Sequence, residues 1–404
     1  MEELYPCRKS KNLLFMQTDK INFSDTPATG NNQIELKVVA GKKDLKEFIR
    51  LPWKLHKNHD HWVPPIYIDE MEYFNPAKNH ALQYCDTVML LCYKNNEALG
   101  RIMGIINHRY NEYTNTMYGR FSMLDCINDQ QILNTLLNYL EEWAFKKGMG
   151  IMIGPMGMYY HDPMGFLIDG FEHSPAVSTY SNFKYLPDLV EKAGYFTNEN
   201  LVVYKIDMPD QIPEFYERIY QRISQKATFS VRSFKSKKEM RKAIIPVLTL
   251  MNECFTEIYG YSQLDPEEMK STARKFIIFL NPQLVKVAYH DNEPVGFIIA
   301  MPNICGGLRA CKGFLFPFGF IKILRTAKKS TQLDLLIGGI KKKYQGLGID
   351  VLLGREVMET ARRMGFKTID SHLELEKNFK MRAEMEKMGG KVYKRYRIYQ
   401  KVLS

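Results

Sequence analysis

A chain of 404 residues with 45% apolar and 25% charged residues is long for one hydrophobic core and comfortable for two domains of roughly 150–200 residues each. No run of about 18 uncharged apolar residues occurs, and the first ten residues, MEELYPCRKS, contain no apolar leader, so a cytoplasmic protein is expected. The net charge of +11 is unevenly carried: residues 206–404 hold 35 Lys+Arg against 21 Asp+Glu, leaving 21 against 24 for the first 205. The second half is therefore the one expected to meet an anion.

In chain order, residues 1–33 are polar and without period and are expected to form a loose arm. A strand and a helical region follow in IELKVVAGKKDLKEFIRL, then HKNHDH, residues 56–61, beside an extended WVPP. Three histidines and an aspartate at that spacing do not by themselves make a metal site. Residues 88–107 read as a β-hairpin, followed by a strand over Phe121–Cys126. A helix from Asn128 to Gly148 places Ile132, Leu136, Leu140, Trp143 and Ala144 on one face, and the strand GIMIGP comes next. The turn-rich segment GPMGMYYHDPMGFLIDGF, residues 154–171, gathers Tyr159, Tyr160, His161 and Asp162. As a loop carrying aromatic and titratable groups it is a candidate acceptor site, with a purely structural Ω-loop as the alternative. LPDLVEKAGYFTNENLVVYKID then reads as a short helix closed by glycine and a final strand.

After MPDQIP, residues 208–213, the pattern starts again. FSVRSFKSKKEMRKAIIPVLTLMNECF is again strand then helix, and residues 284–303 superpose on residues 88–107 at an offset of 196 without a gap. Tyr289 falls on Tyr93, Glu293 on Glu97, Gly296 on Gly100 and Asn303 on Asn107. A strand over Leu333–Ile340, a helix from Ile349 to Met364, the strand KTIDSHL and FKMRAEMEKMGGKVYKRYRIYQK complete the second copy. The order β-α-α-β-β-β-α-β-α-β thus appears twice, giving residues 34–207 and 208–404 as two α/β domains of one mixed-sheet fold. The insertion ICGGLRACKGFLFPFGFIKILRTAKK, residues 304–329, has three readings: packing between the domains, lining a pocket for a bulky acyl group, or lying on an anionic membrane surface.

Between strand and helix of the second copy stands KKKYQGLGID, residues 341–350. Free N–H groups and the positive dipole end at a helix start suit a phosphate, and glycine lets the backbone approach it. Asp350 is the discordant residue, since its carboxylate either points away or competes for the same N–H groups. The first copy offers CINDQQIL instead, with Asn128 or Asp129 as a helix cap but neither glycine nor basic run. Alternation along KTIDSHL puts Asp370, His372 and Glu374 on one strand face. Seven scattered cysteines without a C-x-x-C pair argue against disulfides or a zinc site. The Walker loop, G-x-S-x-G and H-E-x-x-H motifs are lacking, so the sequence gives no footing for kinase, serine-hydrolase or zinc-protease chemistry.

The repeated order, with a strand running into Gln345-Gly346-Leu347-Gly348, resembles the GNAT acyl-CoA N-acyltransferase fold. More closely, the chain resembles a bacterial family of tandem GNAT-like proteins, through LPWKLHKNHDHWVPP, GRIMGIINHRYN, the GPMG and GFLIDGF segment, GFLFPFG and ELEKN. The resemblance implies an acyltransferase moving an acyl group from acetyl-CoA or another acyl-CoA to a small-molecule or peptide amine, without a metal. The N–H groups of Gln345, Gly346, Leu347, Gly348 and Ile349 would hold the pyrophosphate, Ile340 would pair with the pantetheine arm, and Lys341–Lys343 would add attraction. Asn378 is also assigned to the cofactor; aligning the family's N-x-x-A-x-x-x-Y pattern on it puts Met385 where a tyrosine acid is usual. Glu374 is then the first choice as base and His372 the second, and Tyr344 is a substitute acid. Tyr159, Tyr160 and His161, from the half without a cradle, would help hold the acceptor. The alternatives are a non-catalytic CoA- or metabolite-binding module and an aminoacyl-tRNA-dependent transferase. DNA is not expected as a partner, and RNA enters only with the last alternative.

Overall fold

The structure, a computed structural model, describes residues 34–225 and 229–404; the arm expected over residues 1–33 lies outside them. The first half runs β1 (Ile34–Val38), α1 (Gly41–Leu55), α2 (Tyr67–Tyr73), β2 (Cys85–Lys94), β3 (Glu97–Asn107), α3 (His108–Thr114) and β4 (Tyr118–Cys126). It continues with α4 (Gln130–Lys146), β5 (Ile151–Gly154), β6 (Phe166–Asp169), α5 (Tyr185–Lys192) and β7 (Phe196–Asp207). The second half runs α6 (Glu214–Gln225), β8 (Ser230–Arg232), α7 (Lys237–Cys254), α8 (Pro266–Phe276), β9 (Val285–His290), β10 (Glu293–Pro302), α9 (Cys305–Ala310) and α10 (Gly319–Lys329). β11 (Gln332–Ile340), α11 (Ile349–Arg363), β12 (Thr368–Asp370), β13 (Glu374–Leu375), α12 (Phe379–Lys387) and β14 (Lys391–Val402) complete it.

The two matching hairpins have a local cause. Asn95-Asn96 and Asp291-Asn292 at their tips all take positive φ, the backbone that a two-residue turn between right-twisted strands requires. Gly100 and Gly296, paired in the sequence superposition, allow a helix to lie close on the sheet. A Cβ on Gly100 would stand 2.8 Å from Ile132 of α4, and one on Gly296 would stand 3.1 Å from Ile349 of α11. Both helices pack an apolar face there, with Ile132, Leu136, Leu140 and Ala144 of α4 and Ile349, Val351, Leu353 and Val357 of α11 buried.

The sheet order is β1-β2-β3-β4-β5-β14-β7-β12-β11-β10-β9-β8, with β6 on β14 and β13 on β7. The order is symmetric about the β14–β7 pair, and it contains an exchange. β14, the last strand of the second half, lies against β5, whereas β7, the last strand of the first, lies against β12. Each half therefore finishes its sheet with the other's strand. β4 with β5, and β11 with β12, are parallel pairs of only three residues each, so beyond Asp334 the edge of β11 facing β12 is left without that partner.

Candidate active site

That opening along β11 positions the chemistry. Lys341 donates its N–H to the Val295 carbonyl, so alternation turns the backbone groups of Ile340 and Gly338 to the opposite, open edge. A register shift on β10 between Ile299, opposite Ile337, and Ala300, opposite Leu335, leaves Leu336 as a bulge with no residue across from it. The first half has its own bulge at Met123 of β4, φ 50°. There the Met123 N–H donates to the Tyr180 hydroxyl at 3.2 Å, so a side chain of the same chain fills the place.

The helix starts that follow differ in the same sense. Asp129 caps α4, its Oδ1 accepting from the N–H of Gln131 at 2.9 Å and of Ile132 at 3.4 Å. α11 begins after Gly348, φ 85°, and receives no side-chain cap. Gly346, φ 77°, has open space where its Cβ would be, and Gln345, Gly346 and Leu347 are exposed. Asp350 is exposed and accepts no backbone N–H among the described residues; its field reaches Tyr216 and Lys387 instead.

Several expected roles are changed by the geometry. Gly348 faces α6 rather than an open surface: a Cβ there would stand 2.2 Å from Ile223. The three lysines are already paired. Lys341 bridges Glu253 at 2.8 Å and Glu293 at 2.7 Å, Lys342 meets Glu257 at 2.7 Å, and Lys343 is 4.0 Å from Glu293, so their long-range attraction is largely cancelled. Gln345 folds back, its Nε2 donating to the Ile340 carbonyl at 3.2 Å, which occupies part of the edge assigned to pantetheine. Tyr344 packs against Phe229 and His290, its hydroxyl 3.4 Å from His290 Nδ1, at the hairpin end of β11 and without contact to Glu374. Asn378 is the cap of α12, its Oδ1 accepting from Met381 at 3.4 Å, and Met385 is buried in the core.

KTIDSHL is not one strand. β12 stops at Asp370, His372 turns to φ 61°, and β13 resumes at Glu374, so the three polar residues occupy different surroundings. Asp370 is buried and pairs with the equally buried Lys394 at 3.2 Å. Tyr393 also donates to its carboxylate. Asp334 lies next to Asp370 across the parallel pair; burial and that neighbouring carboxylate push its acidity well below the ordinary. Asn303 and Gln332 hold it, each at 2.8 Å. His372 uses Nε2 on the Val177 carbonyl at 2.8 Å, and burial lowers its pKa, so as a neutral ring it tethers a loop of the first half.

Glu374 differs from both. It lies on β13 opposite Val202 of β7, at the level along the sheet of β11's open segment. No hydrogen bond or ion pair reaches its carboxylate among the described residues, and burial raises its pKa to about 8. Tyr160 stands near it, its own pKa raised first by burial and then by the Glu374 charge.

Tyr160 reaches that position from the other half because its loop is tied down. Asp162 accepts from the Tyr73 hydroxyl at 2.7 Å and the Tyr159 N–H at 2.9 Å. Arg120 and Asn107 hold the Gly157 and Met158 carbonyls at 3.0 and 3.1 Å. Tyr159 donates to Asn79 at 2.8 Å and stacks on His161, so these two shape the loop rather than a pocket. Tyr160 faces away from them, edge-on to Phe255 and Tyr261 of the second half. Sequence periodicity could not reveal that meeting, since Tyr160 and its neighbours in the second half lie far apart in the chain.

The HKNHDH segment is likewise engaged. His56 lies 2.9 Å from Asp125 through Nε2 and 3.0 Å from His59 through Nδ1, with Trp62 and Phe183 stacked on it. Burial and the neighbouring His56 lower the His59 pKa to about 4. Arg101 completes the cluster on Asp125 at 2.9 Å.

No family model matches the chain. A protein of Caulobacter vibrioides (strain NA1000 / CB15N) named bacterial ceramide synthase is 26% identical over 370 residues, covering 89% of this chain and 95% of that one. Protein YghO of Escherichia coli (strain K12) is 25% identical over 369 residues, covering 89% and 93%. Among solved structures, a tandem GNAT protein from the clavulanic acid biosynthesis pathway superposes with a TM-score of 0.53 at 11% identity, covering 92% of this chain and 99% of that chain. The fold is therefore that of a tandem GNAT protein, as the motif order implied.

Proposed function

We propose that the protein is an acyl-CoA-dependent N-acyltransferase with one cofactor site, in the second half, and that its acceptor is the amine of a long-chain amino alcohol. The observation that carries the reaction is Glu374, a half-buried carboxylate with no hydrogen bond or ion pair among the described residues, at the level of β11's open edge and with Tyr160 within reach of its charge. The uncapped, glycine-opened start of α11 supports the cofactor assignment, as does the filled counterpart in the first half. The acceptor rests on the relative named ceramide synthase, since a ceramide is the amide of such an amine with a fatty acid.

In this reading the acyl-CoA lies along β11 with its pyrophosphate at Gly346–Ile349. Glu374, with its pKa near 8, takes the proton of the substrate ammonium. The freed amine forms the C–N bond at the thioester carbonyl as the C–S bond breaks, the Tyr160 hydroxyl protonates the departing thiolate, and the phenolate so formed takes the second proton that the nitrogen sheds as the amide forms. Tyr160 thus takes the role that Met385 cannot fill. Titration calorimetry with acyl-CoAs of increasing chain length, followed by detection of the amide formed with a long-chain amino alcohol, tests the reading. Tyr160→Phe should bind acyl-CoA as the wild type does and turn over at least about tenfold more slowly. Absence of heat with every acyl-CoA would remove the cofactor assignment.

A further inference from the structure

The insertion at residues 304–329 has an anchored base and an uncovered tip. At the base, Cys305 and Leu308 of α9 are buried. Three hydrogen bonds fasten it to the first half: Arg309 to the Asp60 carbonyl at 2.8 Å, Trp53 to the Lys312 carbonyl at 2.8 Å, and the Tyr67 N–H to the Gly313 carbonyl at 3.0 Å. A Cβ on Gly313 would fall 2.1 Å from the Pro65 carbonyl oxygen, so the contact is close. Phe314 continues it, tilted against Trp53 and Tyr67.

Beyond this point the chain turns apolar side chains outward. Phe316 is 87% exposed and Phe318 67%. On α10 only Gly319 and Ile323 are buried, while Phe320, Ile321 and Leu324 stand exposed. At 100° per residue these three share one side of the helix, and Lys322, Arg325 and Lys329 lie round from it. Residues 304–329 carry six cations and no Asp or Glu. In contrast to Lys341–Lys343, none of the six forms a salt bridge among the described residues: their neighbours are backbone carbonyls at most, as for Lys322 and Ala310 at 3.0 Å.

From this we infer that the tip and α10 form a docking surface for an anionic lipid bilayer, with the aromatic residues entering the headgroup boundary and the unpaired lysines and arginines facing lipid phosphates. The pairing of a compact apolar stripe with adjacent uncompensated cations matches the two layers such a surface presents. Among the described residues no helix is long and apolar enough to cross a membrane, so the contact is with one face of the bilayer. The inference stands on surface chemistry and does not depend on the acyl transfer proposed above.

Co-sedimentation of the full chain with vesicles of phosphatidylcholine alone, and of phosphatidylcholine with one-third phosphatidylglycerol, tests it. The wild type should partition to the anionic vesicles and lose that preference in high salt. Phe316→Ser with Phe318→Ser removes two exposed side chains and should lower partitioning at least about tenfold at an unchanged thermal midpoint. Lys328→Glu with Lys329→Glu, on a different part of the surface, should weaken binding to the anionic vesicles alone. Equal partitioning of the wild type to both vesicles, or of wild type and both double variants to the anionic ones, would overturn the inference. So would self-association of the wild type that the phenylalanine pair abolishes, since the occupant would then be a second copy.

Discussion

Replacing Glu374 by glutamine should make the protein more stable and less active, with the stability gain growing with pH. Burial moves the carboxyl from an ordinary 4.5 to about 8. The folded state consequently binds more protons than the unfolded state between those two values, and stability falls as pH rises through that window. Below 4.5 the group is protonated in both states and contributes nothing; above 8 the full penalty is present. At about 1.4 kcal/mol for each pH unit, the penalty reaches roughly 3 kcal/mol at pH 7 and roughly 5 kcal/mol above pH 8. Glu374 is only half-buried and water screens part of the penalty, so about 2–3 kcal/mol is the expected gain for Glu374→Gln above pH 8. At pH 5 the two proteins should agree within about 1 kcal/mol, since both then bury a neutral group of similar shape.

Urea unfolding at pH 5, 7 and 9 reads this directly. In parallel, the glutamine variant should keep its affinity for acyl-CoA and lose about a hundredfold or more in amide formation, and wild-type turnover should rise toward a plateau past pH 8. A stability difference that is the same at pH 5 and pH 9 would refute the burial argument. A glutamine variant with wild-type turnover would place the base elsewhere.

Gly348→Ala should destabilise by about 2–3 kcal/mol, because its Cβ meets Ile223 at 2.2 Å on a left-handed backbone, while Gly346→Ala, strained but in open space, should cost about 1 kcal/mol; urea midpoints distinguish them, and Ile223→Ala should restore part of the first loss only. Asp350→Asn should tighten CoA by roughly two- to fivefold at low salt, as removal of a carboxylate from the first turn of α11 leaves its dipole unopposed; calorimetry at low and high salt should show the gain disappear on screening. Fragments 1–207 and 208–404 should each fail to give a stable monomer alone and should associate when co-expressed, because β7 and β14 are exchanged; a well-folded, CoA-binding fragment 208–404 on its own would contradict the role assigned to that exchange.

The order of elements was legible because its causes are local. The turn pairs Asn95-Asn96 and Asp291-Asn292, the apolar stripe of α4 and the glycine-rich start of α11 each act within a few residues, and the superposition at an offset of 196 doubled their weight. What followed from tertiary placement was not legible. Alternation grouped Asp370, His372 and Glu374 on one face, but the positive φ of His372 separates them, in a turn where the Asp370 carboxylate accepts the His372 N–H at 2.7 Å and the His372 ring reaches the Val177 carbonyl of the other half. The run Lys341–Lys343 read as an unbalanced cationic patch because Glu253, Glu257 and Glu293, which neutralise it, come from α7, the stretch after it and the hairpin. Tyr160 and Glu374 were each visible as candidates, but their nearness across 214 positions of chain was not.

The exchange of final strands bears on why a half without a cradle is retained. Its helix α4 is capped by Asp129 and its bulge is filled by Tyr180, so the two features that open the second half are closed in the first. Yet its last strand, β7, is the one on which β13 and Glu374 rest, and its loop at residues 157–162 delivers Tyr160 to the same place. Loss of the first half would therefore remove together the strand beside Glu374 and the tyrosine that its charge reaches, even though neither belongs to the glycine motif proposed to hold the cofactor. In an arrangement of this kind the separation of labour follows the sheet: the second half supplies the open edge and the helix start, and the first supplies the strand on which Glu374 rests and the loop that carries Tyr160.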